Sequence, residues 1–153
     1  MKIQNIEEGD FSQIEGPRQV IVHDHARRFA AIDLGNNLGR YGISWRSDLV
    51  EPTVTLSSDA SIAWIGVDQQ LAAIRLHKGR ICVCLALDAN ILQILAINNM
   101  AAVLTETEVL LFNPDCSIRL IQDLPELAEE MSFSDTTLVV RLLEGNSVSL
   151  NLQ

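Results

Sequence analysis

Ile62-Ala63-Trp64-Ile65-Gly66-Val67, then Asp68-Gln69-Gln70, then Leu71-Ala72-Ala73-Ile74-Arg75-Leu76, then His77-Lys78-Gly79 and Ile81 to Leu87: this stretch decides the fold. Three short apolar runs, rich in Ile and Val, are separated by polar turns, one of them carrying Gly. Runs of this length with turn residues between them read as β-strands joined by tight hairpins. Helical periodicity is scarce elsewhere in the chain.

The same wording recurs on both sides. Upstream lie Val20-Ile21-Val22, the turn His23-Asp24-His25, Phe29 to Leu34, the turn Gly35-Asn36-Asn37, and Tyr41 to Trp45. Downstream come Ala101 to Thr105, Val109 to Phe112 and Ile118 to Ile121, and then Leu138 to Leu142 and Val148 to Leu152. Matching strands begin near positions 29, 71, 109 and 148, spacings of 42, 38 and 39 residues. Thr53 to Leu56, Ile91 to Ile97 and Met131 to Phe133 each add a strand before a unit. The expected fold is therefore all-β: antiparallel four-stranded meander units repeating every ~38–42 residues within one domain, 1–153. The fourth unit lacks an outer strand, which Ile3 to Ile6 are expected to supply. Asp123-Leu124-Pro125-Glu126-Leu127-Ala128-Glu129-Glu130 breaks the pattern. Its helix formers and N-terminal Asp predict one short helix near 124–130.

Leu71 to Ile81 resembles the strand–turn–strand core of quinoprotein-type and WD-type β-propeller repeats, in which a small, an aliphatic and a polar residue precede a Gly-containing turn. Phe29-Ala30-Ala31-Ile32-Asp33-Leu34 repeats that wording. The resemblance runs from about residue 18 onward, without a Trp-Asp dipeptide, and implies a propeller-like arrangement of the units. A β-sandwich or barrel is the alternative.

Composition narrows the function classes. Apolar residues make up 48% of the 153 and charged residues 20%, a globular balance. The net charge of −9 is uneven. Residues 1–87 carry ten acids and nine bases, whereas 88–153 carry ten acids against Arg119 and Arg141 alone. An acidic C-terminal half repels phosphate, so neither nucleic acid nor an anionic membrane is an expected partner. The N-terminal stretch has no signal-peptide core, and three cysteines make no disulfide framework, so a cytoplasmic setting is expected.

Of the candidate sites, Arg27, Arg28, Arg40 and Arg46 with Tyr41 and Trp45 form the most promising interaction surface, because Arg, Tyr and Trp dominate interface hot spots. The same basic unit offers a surface for self-association into a homo-oligomer. His23-Asp24-His25 places two imidazoles around a carboxylate, yet a zinc site needs three or four ligands and His77 sits in another turn. Cys82 and Cys84 alternate along one strand and are expected on one face as small hydrophobes, with Cys116 exposed in a turn. Gly35 to Gly42 matches neither a dinucleotide nor a P-loop fingerprint. No catalytic, cofactor-binding or metal residue is assigned, and no cofactor is expected. The expected function is a non-catalytic protein-interaction module: a regulatory partner, complex subunit or immunity-type protein. A carbohydrate-binding domain using Trp45, Tyr41 and Trp64 is the alternative, and a His-dependent enzyme ranks behind both.

Overall fold

The structure, a computed structural model, describes residues 1–35 and 37–152. Asn36 of the expected Gly35-Asn36-Asn37 turn lies outside the described residues. The described residues fold into four small sheets, with no closed barrel among them. The first sheet contains β1 (Lys2–Ile6), β2 (Gln19–Ile21), β3 (Arg28–Asp33) and β4 (Arg40–Trp45). The second contains β5 (Thr53–Leu56), β6 (Ile62–Val67), β7 (Gln70–Arg75) and β8 (Arg80–Ala86). The third contains β9 (Ile91–Ile97), β10 (Met100–Thr105), β11 (Glu108–Phe112) and β12 (Ile118–Asp123). The fourth contains β13 (Ala128–Ser134), β14 (Thr137–Leu142) and β15 (Ser147–Asn151). The last three sheets are antiparallel meanders in chain order, as the repeat predicts.

Residues that tolerate a left-handed backbone make the hairpins tight. Asp68 (φ 51°), Asn98 and Asn99 (φ 48° and 64°), Asp135 (φ 58°) and Gly79 (φ 61°) all sit between paired strands. Asn, Asp and Gly visit that region at least cost, and a turn with this twist matches that of the strands it joins.

The sheets stack through their faces. Within β6, Ala63, Ile65 and Val67 join a core shared with the first sheet, and so do Ala72, Ile74 and Leu76. The alternate residues Ile62, Trp64, Leu71 and Ala73 join a second core with Ala101, Val103, Leu110 and Phe112 of the third sheet. The other faces of β10 and β11, through Ala102, Leu104, Val109 and Leu111, meet Met131, Leu138 and Val140 of the fourth. Two-faced burial explains why these strands read as continuous apolar runs rather than as alternating ones. Small residues beside large ones let the faces interdigitate. The Trp64 and Phe112 rings meet across the second gap at 4.8 Å.

Three features of the strand pairing and helices depart from the sequence reading. The segment near 124–130 is not helical: Leu124 donates to the Thr107 carbonyl at 2.9 Å, Ala128 to the Glu106 carbonyl at 2.9 Å, and β13 already begins at Ala128. Backbone pairing with neighbouring strands outweighs the modest helix propensity of a segment interrupted by Pro125. Second, β1 does not complete the fourth sheet but pairs with β3, Ile3 opposite Ile32. The first sheet also runs β1-β3-β4-β2, with β2 parallel to β4. Third, the residues between β1 and β2 form a short helix, α1 (Glu8–Ser12), and a 3₁₀ turn at Gly16–Arg18. Phe11 of α1 lies on the outer face of the first sheet, its ring 5.4 Å from Phe29. Gly42 makes that approach possible, because a Cβ there would stand 2.9 Å from the Ile14 Cδ1 and 3.0 Å from the Phe11 Cε1. Among the described residues, no helix is long and apolar enough to cross a membrane.

Ile74 is fully enclosed in the first core. Ile74→Asp buries a carboxylate without a partner and removes more than about 4 kcal/mol of stability. Leu49→Asp, at a position 96% exposed, changes stability by less than about 0.5 kcal/mol. Urea denaturation followed by circular dichroism checks both, and equal effects would contradict the core assignment.

Candidate interaction site

Where the first and second sheets meet, their loops surround an open cleft of about 490 Å³. His23 and Arg27 reach it from the connection between β2 and β3. Arg46, Ser47, Asp48 and Val50 come from the β4–β5 loop, and Asp68, Gln69 and Gln70 from the β6–β7 turn. Asn90 closes it from the β8–β9 connection.

The β4–β5 loop is held from below by two side chains. The Trp45 indole Nε1 donates to the Val50 carbonyl at 2.9 Å, and Arg28 Nη1 donates to the same oxygen at 3.0 Å. Arg28 stacks on the Trp45 ring at 4.8 Å and pairs with Glu51 at 2.7 Å. The second sheet holds the start of the loop: the Arg46 and Ser47 amides both donate to the Asp68 carboxylate at 3.3 Å. The loop thus presents Arg46, Asp48 and Leu49 outward, while Val50 packs against the first core. Leu49 is 96% exposed at its tip. Arg46 is exposed, and its guanidinium makes no ion pair among the described residues. Arg27 is exposed and pairs with Asp48 at 3.6 Å, a surface contact of little energetic weight.

The six residues singled out from the sequence therefore separate. Arg27 and Arg46 meet at the cleft. Arg28 is a fastener beneath it, its side chain only 19% exposed. Trp45 and Tyr41 are buried in the first core, and Trp64 is buried in the second. Arg40 begins β4 and faces outward at the far end of that strand from Trp45. Leu49 escaped the sequence reading, although a leucine between Asp48 and Pro52 in a polar loop is a signal of sorts.

His23-Asp24-His25 is a turn beyond the end of β2. The His25 amide donates to His23 Nδ1 at 3.0 Å, the His23 amide donates to Ser44 Oγ at 3.0 Å, and the rings stand 6.5 Å apart. Among the described residues no three His, Cys, Asp or Glu side chains are grouped to hold a metal ion. At the other end of the first sheet, Arg18 lies over the Tyr41 ring at 5.0 Å. Gly39 beside it sits at φ 100°, a backbone region that side chains rarely adopt, so the β3–β4 hairpin requires glycine there.

No protein-family model and no curated protein matches the sequence. Among solved structures, the crystal structure of the computationally designed Ika4 protein is similar, with a TM-score of 0.60 and 10% identity. The match covers 89% of this chain and 91% of that one. At that identity it speaks to the fold alone, and it agrees with repeated all-β units.

Removing the fastener and removing the exposed Arg46 guanidinium are expected to differ. Arg28→Ala costs about 1–3 kcal/mol, because it strips charge-assisted bonds and a ring contact from a mostly buried site. Arg46→Ala stays within about 0.5 kcal/mol. Thermal unfolding of the two variants side by side checks the division of roles.

Proposed function

We propose that this protein is a non-catalytic interaction module that engages an acidic segment of a partner protein at the cleft between its first two sheets. The observation that carries the reading is Arg46, without an ion pair among the described residues, lining the cleft with Arg27, and an exposed Leu49 on the same fastened β4–β5 loop as Arg46. Cations at a rim steer an acidic partner, and an exposed leucine supplies apolar area that is released from water on contact. A loop held by Arg28, Trp45 and Asp68 loses little freedom on binding, which favours affinity.

In this reading the sheets are the blades of an open, propeller-like array. Its support is that the leading strands β5, β9 and β13 of successive sheets lie against one another, as strands near a propeller axis do. The setting that fits it is the cytoplasm. The carbohydrate reading is weaker, because Tyr41, Trp45 and Trp64 are all buried and offer no platform for a sugar ring. The His-dependent enzyme reading is weaker too, because His23 Nδ1 is occupied by the His25 amide.

The test is a fluorescence anisotropy titration with a labelled peptide alternating Glu and Leu. The intact protein binds it, and binding weakens as salt is raised. Arg27→Glu with Arg46→Glu raises Kd roughly tenfold or more, equivalent to about 1.4 kcal/mol, while Arg40→Glu does not. Equal binding by all three proteins would refute the site. Light scattering on the same samples decides whether the acidic partner is a second copy of this chain.

A further inference from the structure

We propose that Cys82 and Cys116 form a reversible redox pair, which closes into a disulfide joining the second sheet to the third when a small-molecule disulfide is present. The two sulfurs already touch, Sγ to Sγ at 2.9 Å. A disulfide bond is about 2.05 Å long, so closure requires a movement of roughly 0.9 Å. Both thiols are partly buried at the edge of the core between these sheets.

Two local irregularities bring them together. Along β7 and β8, Ala73 pairs with Val83 and Ile74 with Ile81, which leaves Cys82 as the extra residue of a β-bulge. The bulge breaks the alternation expected for Cys82 and Cys84. Cys82 turns with Val83 and Leu85 towards the third sheet, whereas Cys84, opposite Ala72, is exposed on the other face. Bulges commonly re-aim a side chain in this way.

Cys116 sits at φ 71° in the turn between β11 and β12, a backbone region that a non-glycine residue occupies only at a cost. The turn Asn113-Pro114-Asp115-Cys116-Ser117 has a counterpart in Ser57-Ser58-Asp59-Ala60-Ser61. In both, the aspartate Oδ1 accepts from the amide and the hydroxyl of the serine two residues on. Ala60 fills the left-handed position in the second sheet, at φ 57°. The turn therefore works with alanine, and its geometry does not call for a thiol. Arg75 Nη2 holds the Cys116 turn against the second sheet by donating to the Asp115 carbonyl at 3.1 Å.

The exchange balances without a metal. The Cys82 thiolate attacks one sulfur of the small disulfide, releasing one small thiol and leaving a mixed disulfide on Cys82. Cys116 then loses its proton and attacks the Cys82 sulfur, expelling the second small thiol. Two protein thiols are oxidised and one small disulfide is reduced to two thiols. Burial, the adjacent Cys82 sulfur and Asp115 push the Cys116 thiol up to about 12, against the pull of Arg75. Deprotonation of Cys116 is accordingly the slow part of closure.

The test uses the full chain with oxidised glutathione. Alkylation and mass spectrometry should find the free thiols falling from three to one, with a Cys82–Cys116 cross-linked peptide that dithiothreitol releases. The melting temperature should rise by roughly 5–10 °C in the closed form. Cys84→Ser should behave like the parent. Cys116→Ala, which carries the residue of the sister turn, should fold and show no rise. Persistent glutathione adducts without an internal cross-link, or a cross-link through Cys84, would overturn the proposal.

Discussion

Every part of this molecule depends on covering both faces of a small sheet. Three or four strands of three to seven residues cannot bury enough apolar surface by themselves, so each sheet must lean on its neighbours. The central strands bear the consequence. Ala63 and Trp64 point to opposite cores, as do Ala72 and Ala73, and Ala101 and Ala102. Alanines let the neighbouring face approach, and Trp64, Phe112, Ile65 and Leu104 fill the space so created. The gap tolerates few added atoms. A Cβ on Gly66 would stand 3.0 Å from the Ile91 Cγ2 of the next sheet.

A stack held this way must finish somewhere, and its two ends finish differently. On the first sheet, the outer face carrying Phe29, Ala31 and Gly42 is covered by Phe11 of α1 and by Ile14 just beyond that helix. On the fourth sheet the outer face is polar instead. Ser132, Val139 and Ser149 line up across the strands, and so do Glu130, Arg141 and Ser147. Arg141 pairs with Glu129 at 3.2 Å and Glu130 at 2.9 Å on that side. Terminal units with a covered or polar face are what keep a repeat array from growing or aggregating. The acidity of the C-terminal half is in part the chemistry of that exposed end.

The cleft and the cysteine pair both arise where stacked sheets meet, at the margins that the cores leave uncovered. Loops there are free to vary while the strands beneath them are rigid. The arginines illustrate this, since one residue type takes two tasks within a few positions. Arg28 lies inside, on the inner face of β3, and organises a loop. Arg27 and Arg46 lie just beyond the strands and face solvent. Only the boundary of a strand separates a fastener from a contact residue.

The strands themselves were legible from the chain. β5, β6 and β9 fall where the apolar runs lie, because short Ile- and Val-rich segments between turn residues have few alternatives to pairing. The repeat was legible as well, since the residues that make a hairpin return at nearly constant spacing. What only the tertiary structure decided depends on which neighbour a segment meets. The segment near 124–130 has helix formers but finds the carbonyls of Glu106 and Thr107, and β13 pairs with β14. Ile3 to Ile6 finds β3 rather than the fourth sheet. A single bulge reverses the facing of Cys82 relative to Cys84, and the stacking of sheets buries Tyr41 and Trp45 while leaving Arg27, Arg46 and Leu49 outside. Local patterning carries the period of a strand but not its partner. Pairing and facing come from contacts between residues distant in sequence, where packing and hydrogen bonding outweigh propensity.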